Sequence, residues 1–183
     1  MNQTLIQIPT LEECRKLFDT YQMLPNIREH SEMVMRVTER ITKHLQPRCP
    51  VHRPLCIAAA LLHDITKTAS FQTGEPHAES AAHLLRTLGY PEIADIVSQH
   101  VTLRGFDHRK PVNEAEIIYY ADKRVKHNQF VSVEERIVDL LERYGTTEEQ
   151  RRRIMKMKDT VIDIEGKLEH CLDQPVDTIF HGL

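Results

Sequence analysis

Leu55-Cys56-Ile57-Ala58-Ala59-Ala60-Leu61-Leu62-His63-Asp64-Ile65-Thr66-Lys67 is the stretch on which the reading of this chain turns. Leu55 to Leu62 is wholly apolar, and a helix apolar on every side belongs in the interior. Pro54 suits a first helical turn, where a missing amide proton costs nothing. No turn signal intervenes, so the pattern predicts one helix from Pro54 to about Thr66. At its end stand an imidazole, a carboxylate and, one turn later, an ammonium. Such groups cannot be buried unpaired without a cost of roughly several kcal/mol each. A divalent cation would compensate His63 and Asp64, provided that other segments supply the missing ligands.

Working outward, the chain reads as helical nearly throughout. Thr10/Glu13, Asn26/Glu29, Asn113/Glu116, Ser132/Glu135 and Thr147/Gln150 each have the spacing of a reciprocal capping box. Each opens an amphipathic run. From these starts we predict helices over about 11–21, 26–45, 54–66, 77–88, 91–102, 113–127, 133–144 and 147–170. Prolines mark the joints, and Gly89 and Gly145 fall where helix C-termini should lie. Alternation with period two is confined to a hint at Leu5 to Ile8. With no repeat or linker, the expectation is one all-α domain over residues 1–183.

Hydrophobic content of 40%, charged content of 28% and a net charge of -3 are ordinary for a soluble chain. The charge gives no reason to expect nucleic-acid binding. No run is long enough to span a membrane, and the first ten residues lack the pattern of a signal peptide. Cys14, Cys49, Cys56 and Cys171 show no CxxC spacing and read as reduced thiols of a cytoplasmic protein. Arg151-Arg152-Arg153 reads as a solvated helix face.

Helical spacing sorts the eleven histidines. His30 falls on the apolar stripe Ile27, Val34, Val37 and Ile41, and His100 continues the stripe Ile93, Ile96 and Val97. Asp122 shares a face with Ile118 and Val125, and His77 with Ala81, Leu84 and Leu88. His30, His63, Asp64, His77, His100 and Asp122 therefore all point inward. A single inward histidine is ordinarily a hydrogen-bonded core residue. Six convergent groups on five helices favour a cation instead. The mixed nitrogen and oxygen set suits iron, manganese, cobalt, nickel or zinc. His44, His52, His83, His108, His127, His170 and His181 fall at polar faces, termini or loops, with His108 in a loop that could overhang the site.

A first His, then a His-Asp dyad closing a buried helix, then a distant Asp resembles the HD-domain superfamily of metal-dependent phosphohydrolases. The likeness covers about residues 26 to 130 and includes the run His63-Asp64-Ile65-Thr66-Lys67. His77 and His100 look like the extra ligands of the branch that holds two metals. Within that branch the chain resembles the bacterial HD-type diadenosine tetraphosphate hydrolases in its dyad-Lys run and in the His at the head of the following helix. This chain has a shorter connection from Asp64 to His77 and continues Lys-Arg-Val-Lys after Asp122. The resemblance implies a core bundle of roughly five helices with the metals in a central cleft, and the helices over 133–170 are expected to pack on that core. The resemblance also implies two divalent ions. His30, His63, Asp64 and Asp122 would hold one, and Asp64 would bridge to a second on His77 and His100.

Two such ions can acidify a water and clamp a phosphoryl oxygen. The expected activity is hydrolysis of a phosphoester or phosphoanhydride of a nucleotide or related small molecule by metal-bound hydroxide. Asp64 and Lys67 are the catalytic candidates, and Lys67, Arg104 and Arg124 the phosphate-binding ones. Two other readings fit the same residues: a non-catalytic metal or nucleotide sensor, and a di-iron oxygenase. The long C-terminal helix, with Ile154, Met157, Val161, Ile164 and Leu168 along one side, is expected to cover the core; a homodimer through it is the alternative.

Overall fold

The computed structural model describes residues 6–183. Its elements in chain order are α1 (Leu11–Thr20), α2 (Pro25–His44), α3 (Arg53–Leu62), α4 (Lys67–Thr73), α5 (His77–Thr87), α6 (Pro91–Val97), α7 (Glu114–Lys123), β1 (Val125–Lys126), β2 (Gln129–Phe130), α8 (Val133–Tyr144) and α9 (Glu148–Leu172). A short 3-10 turn, Val176–Phe180, follows. The fold is all-α, as the periodicity predicts; the two strands form only a small antiparallel hairpin pairing Val125 with Phe130.

The apolar run forms the centre. Cys56 and Ala58 to Leu62 are buried, and α3 packs against α2, α6 and α7. Four of the five expected capping boxes form, at the starts of α1, α7, α8 and α9. A cap of this kind is worth about 1 kcal/mol. The Asn26/Glu29 box does not form. Pro25 takes the first helical position and Leu24 becomes the cap, which moves the start of α2 upstream. The Leu5 to Ile8 hint falls partly outside the described residues, and 6–10 has no regular secondary structure.

α9 lies along α7 and α8, with Val161, Ile164 and Leu168 buried. Two charged contacts fix it. The Lys167 ammonium sits 2.6 Å from the buried Glu116 carboxylate of α7. Arg124, just after α7, pairs with Glu165 of α9 and with Asp177 in the 3-10 turn. Both hold in place the helix that carries Asp122.

Cys49 and Cys171 are joined in a disulfide, while Cys14 and Cys56 are free and buried. The expectation of four reduced thiols is therefore corrected. A pair 122 residues apart leaves no local trace in a sequence. The bond ties the loop after α2 to the last turn of α9, where Gln46 also donates its amide to the Cys171 carbonyl at 3.0 Å. Among the described residues, no helix is long and apolar enough to cross a membrane.

Candidate metal centre

The dyad helix stops at Leu62, four residues before the predicted end. His63 is its C-cap, and the backbone then tightens, with Ile65 bonding to the Leu62 carbonyl and Lys67 to the Asp64 carbonyl. Lys67 opens α4, which occupies residues expected to be loop. Similarly α6 ends at Val97, so His100 lies in the turn beyond it, and α7 ends at Lys123. The histidines and carboxylates therefore project from helix ends as well as from helix faces.

Three imidazoles are oriented by backbone carbonyls. His30 Nδ1 lies 2.9 Å from the carbonyl of His127, in the hairpin turn; His63 Nδ1 lies 2.7 Å from Ala60, and His100 Nδ1 2.7 Å from Val97. A carbonyl only accepts, so the network assigns the proton to Nδ1 in each and leaves the Nε2 lone pair facing inward. That is the tautomer a metal ligand needs. His77, the first residue of α5, places Nε2 3.1 Å from His100 Nε2 and 3.2 Å from Asp64 Oδ1.

The carboxylates join these rings into one cluster. Asp122 Oδ1 lies 3.0 Å from His30 Nε2 and 3.8 Å from His63 Nε2. Asp64 Oδ2 is 3.4 Å from His63 Nε2, and its Oδ1 is 3.5 Å from His100 Nε2. All six inward residues are thus brought together. Two triads have ligand atoms mutually within 4.8 Å: His30, His63 and Asp64, and Asp64, His77 and His100. Asp64 belongs to both.

Whether a cation fits can be judged from the unpaired atoms. Among the described residues, His63 Nε2 and Asp64 Oδ1 are buried with no hydrogen-bond partner. Buried polar atoms nearly always have one, and an orphaned acceptor costs about 1–3 kcal/mol. Two inward acceptors with nothing to accept from fit a divalent ion that takes their lone pairs.

The electrostatics agree. Burial raises the pKa of Asp64, but His63 and Lys67 overcome it and hold the carboxyl well below the usual range. Burial acts likewise on Asp122, where Lys123 and His30 outweigh it. Burial pushes His100 down to about 4, so it is neutral at physiological pH. Burial also opposes charge on His63, yet Asp64 and Asp122 draw its pKa up. A cation would supply the charge that those carboxylates otherwise draw onto the ring.

Of the predicted phosphate binders, Lys67 alone is at the cluster. Its ammonium is 2.7 Å from Asp64 Oδ2, and its side chain is 32% exposed, so it sits between the buried carboxylate and solvent. Arg104 is exposed and folds back on the end of α6, donating to Ser98 Oγ at 2.7 Å. Arg124 corrects the expectation. It is buried, it donates to Tyr120, Glu165, Asp177 and the Val131 carbonyl, and it holds the C-terminal segment instead of facing the cluster. His108 lies beside α9, lining a separate cavity.

Sequence reasoning missed two positioning groups. Lys123 is buried and bonds Asp122 Oδ2 and the His100 carbonyl, each at 2.7 Å, and so ties two ligand segments together. Its adjacency to Asp122 was the only signal. The His127 carbonyl that orients His30 depends on a backbone at φ 55, which no residue pattern announces.

A family profile described as HD domain matches residues 27–125, a span containing all six ligand candidates. Among solved structures, the chain is similar to the crystal structure of a predicted HD superfamily hydrolase from an uncultured Thermotogales bacterium. The TM-score is 0.51 and the identity 24%, over 93% of this chain and 98% of that one. That likeness concerns the fold. No curated protein matches. With more than half of its length matched by the family profile, and with the dyad buried at the end of its central helix, the chain belongs to the HD domain family.

Proposed function

We propose that this protein is a metal-dependent phosphohydrolase that cleaves a phosphoester or phosphoanhydride of a nucleotide or related small molecule. The observation that carries the reading is Asp64, whose two oxygens serve both candidate ligand triads from a fully buried position. His30, His63 and Asp122 with Asp64 would hold one divalent ion, and His77 and His100 with Asp64 a second. Such a pair acidifies water and polarises a phosphoryl oxygen.

The chain's own residues have definable tasks. The carbonyls of His127, Ala60 and Val97 hold His30, His63 and His100 in the tautomer that offers Nε2. Imidazole ligands bring no negative charge of their own to the site, which leaves it receptive to a phosphate. Lys67 can release Asp64 to a cation and present its N–H groups to a phosphoryl oxygen, which stabilises charge developing in the transition state. The structure from the uncultured Thermotogales bacterium, a predicted HD superfamily hydrolase, shares the fold on which this site is built.

The test is phosphate release from a panel of nucleotides and phosphodiesters. Protein stripped by a chelator should be inactive, and manganese or another first-row divalent ion should restore turnover. Equal activity in stripped and reloaded protein would remove the reading.

A further inference from the structure

A cavity of about 490 Å³ opens between the C-terminal half of α9, the segment 108–112 and residues 48 and 49. It is distinct from the metal cluster. Its wall includes Lys167, which is bound to Glu116 in the first turn of α7, whereas Asp122 stands in the last turn. A volume of this size is in the range of small-molecule sites, about 300–1,000 Å³.

The lining is cationic. Arg48, Arg109, Lys110 and Lys167, with the imidazoles of His108 and His170, face a single carboxylate, Asp163. Three of these cations are engaged from outside the wall: Arg48 by Asp173, Arg109 by Asp107 and Lys167 by Glu116. Lys110 makes no ion pair among the described residues. It and the two imidazoles are the free donors, supported by the N–H groups that Arg48 and Arg109 have left over.

Gly166 is the second observation. It lies inside α9 on the cavity wall, and a Cβ added there would meet nothing within 4 Å. Glycine weakens a helix interior relative to alanine, and no steric contact within the fold requires it here. Its effect is to bare the helix backbone toward the cavity.

We propose that this cavity is a second binding site, for a phosphorylated small molecule. Its anionic end would meet Lys110, Arg109 and the two imidazoles, and its body would lie on the bare helix surface at Gly166 beside Val112. Donors from both the loop and α9 suit a group with several acceptor oxygens better than a single carboxylate. This site does not depend on the hydrolase reading of the metal cluster.

The experiment is calorimetric titration with inorganic pyrophosphate of the full chain and three variants. Asp64→Ala, which disables the metal cluster and any pyrophosphate site there, should still bind pyrophosphate at the cavity, and the two cavity substitutions are made in that background. Gly166→Leu, which fills the cavity from an open position, and Lys110→Glu, which reverses charge on an exposed loop, should each weaken binding at least tenfold. Circular dichroism checks that both are folded. The proposal is overturned if pyrophosphate binds none of the forms or if Asp64→Ala abolishes binding. Unchanged affinity in either cavity variant also overturns it.

Discussion

Removing the Cys49–Cys171 bond, by reduction or by a Cys49→Ala/Cys171→Ala double substitution, should weaken the fold by a calculable amount. The bond closes a loop of 122 residues. In the chain-entropy account, a cross-link of that span lowers the entropy of the unfolded chain enough to contribute about 5 kcal/mol. For a chain of this size that corresponds to a fall in Tm of about 10–20 °C. The native junction should persist, because the Arg48–Asp173 ion pair and the bond from Gln46 to the Cys171 carbonyl stay in place. Urea unfolding with and without reductant measures the difference.

Thiol titration provides the companion assay. Burial pushes Cys14 and Cys56 up to about 12 from an ordinary value of 9.0. A pKa raised that far leaves almost no thiolate at pH 8, so native protein should show no reactive thiol. Unfolded, unreduced protein should show two, Cys14 and Cys56. Four thiols under those conditions, or an unfolding midpoint indifferent to reductant, would refute the reasoning.

Other outcomes follow from individual contacts. Lys67→Ala should keep its metal uptake and lose turnover by about 10²-fold, as expected for a lost charge-stabilising donor; unchanged turnover would make Lys67 only a partner of Asp64. Arg124→Met should cost about 1–3 kcal/mol by removing the buried guanidinium's hydrogen bonds to Tyr120, Glu165 and the Val131 carbonyl, seen as a lower urea midpoint. It should leave KM unaltered, and a raised KM would return Arg124 to the substrate. Gly166→Ala should raise stability by about 0.5–1 kcal/mol in the same unfolding assay, since the position is helical and open.

How far the sequence could be read depended on how local each signal was. The boxes at Thr10, Asn113, Ser132 and Thr147 are local chemistry and formed where expected. The stripes through Ile27, His30 and Val34, and through Ile118, Asp122 and Val125, placed the site residues on buried faces. The end of α3 was not legible. Leu61 to Lys67 contains no glycine or proline, and the break is stabilised by distant partners, with Thr66 bonding the His77 carbonyl and Ser80. The hairpin at 125–130 has two-residue strands, too short for alternation to register. Arg124 misled for a similar reason. Its place just after Asp122 suggested a phosphate-binding role, but the helix ends between them and the guanidinium turns toward Glu165 and Asp177.

The most direct test of the metal centre is elemental analysis of the purified chain beside three variants. The account predicts two divalent ions per chain in the unaltered protein, near none in Asp64→Ala, and one in His77→Ala and His100→Ala. An Asp64→Ala protein that still carries its full complement would show that the residue shared by both triads does not hold the ions, and the account would be wrong.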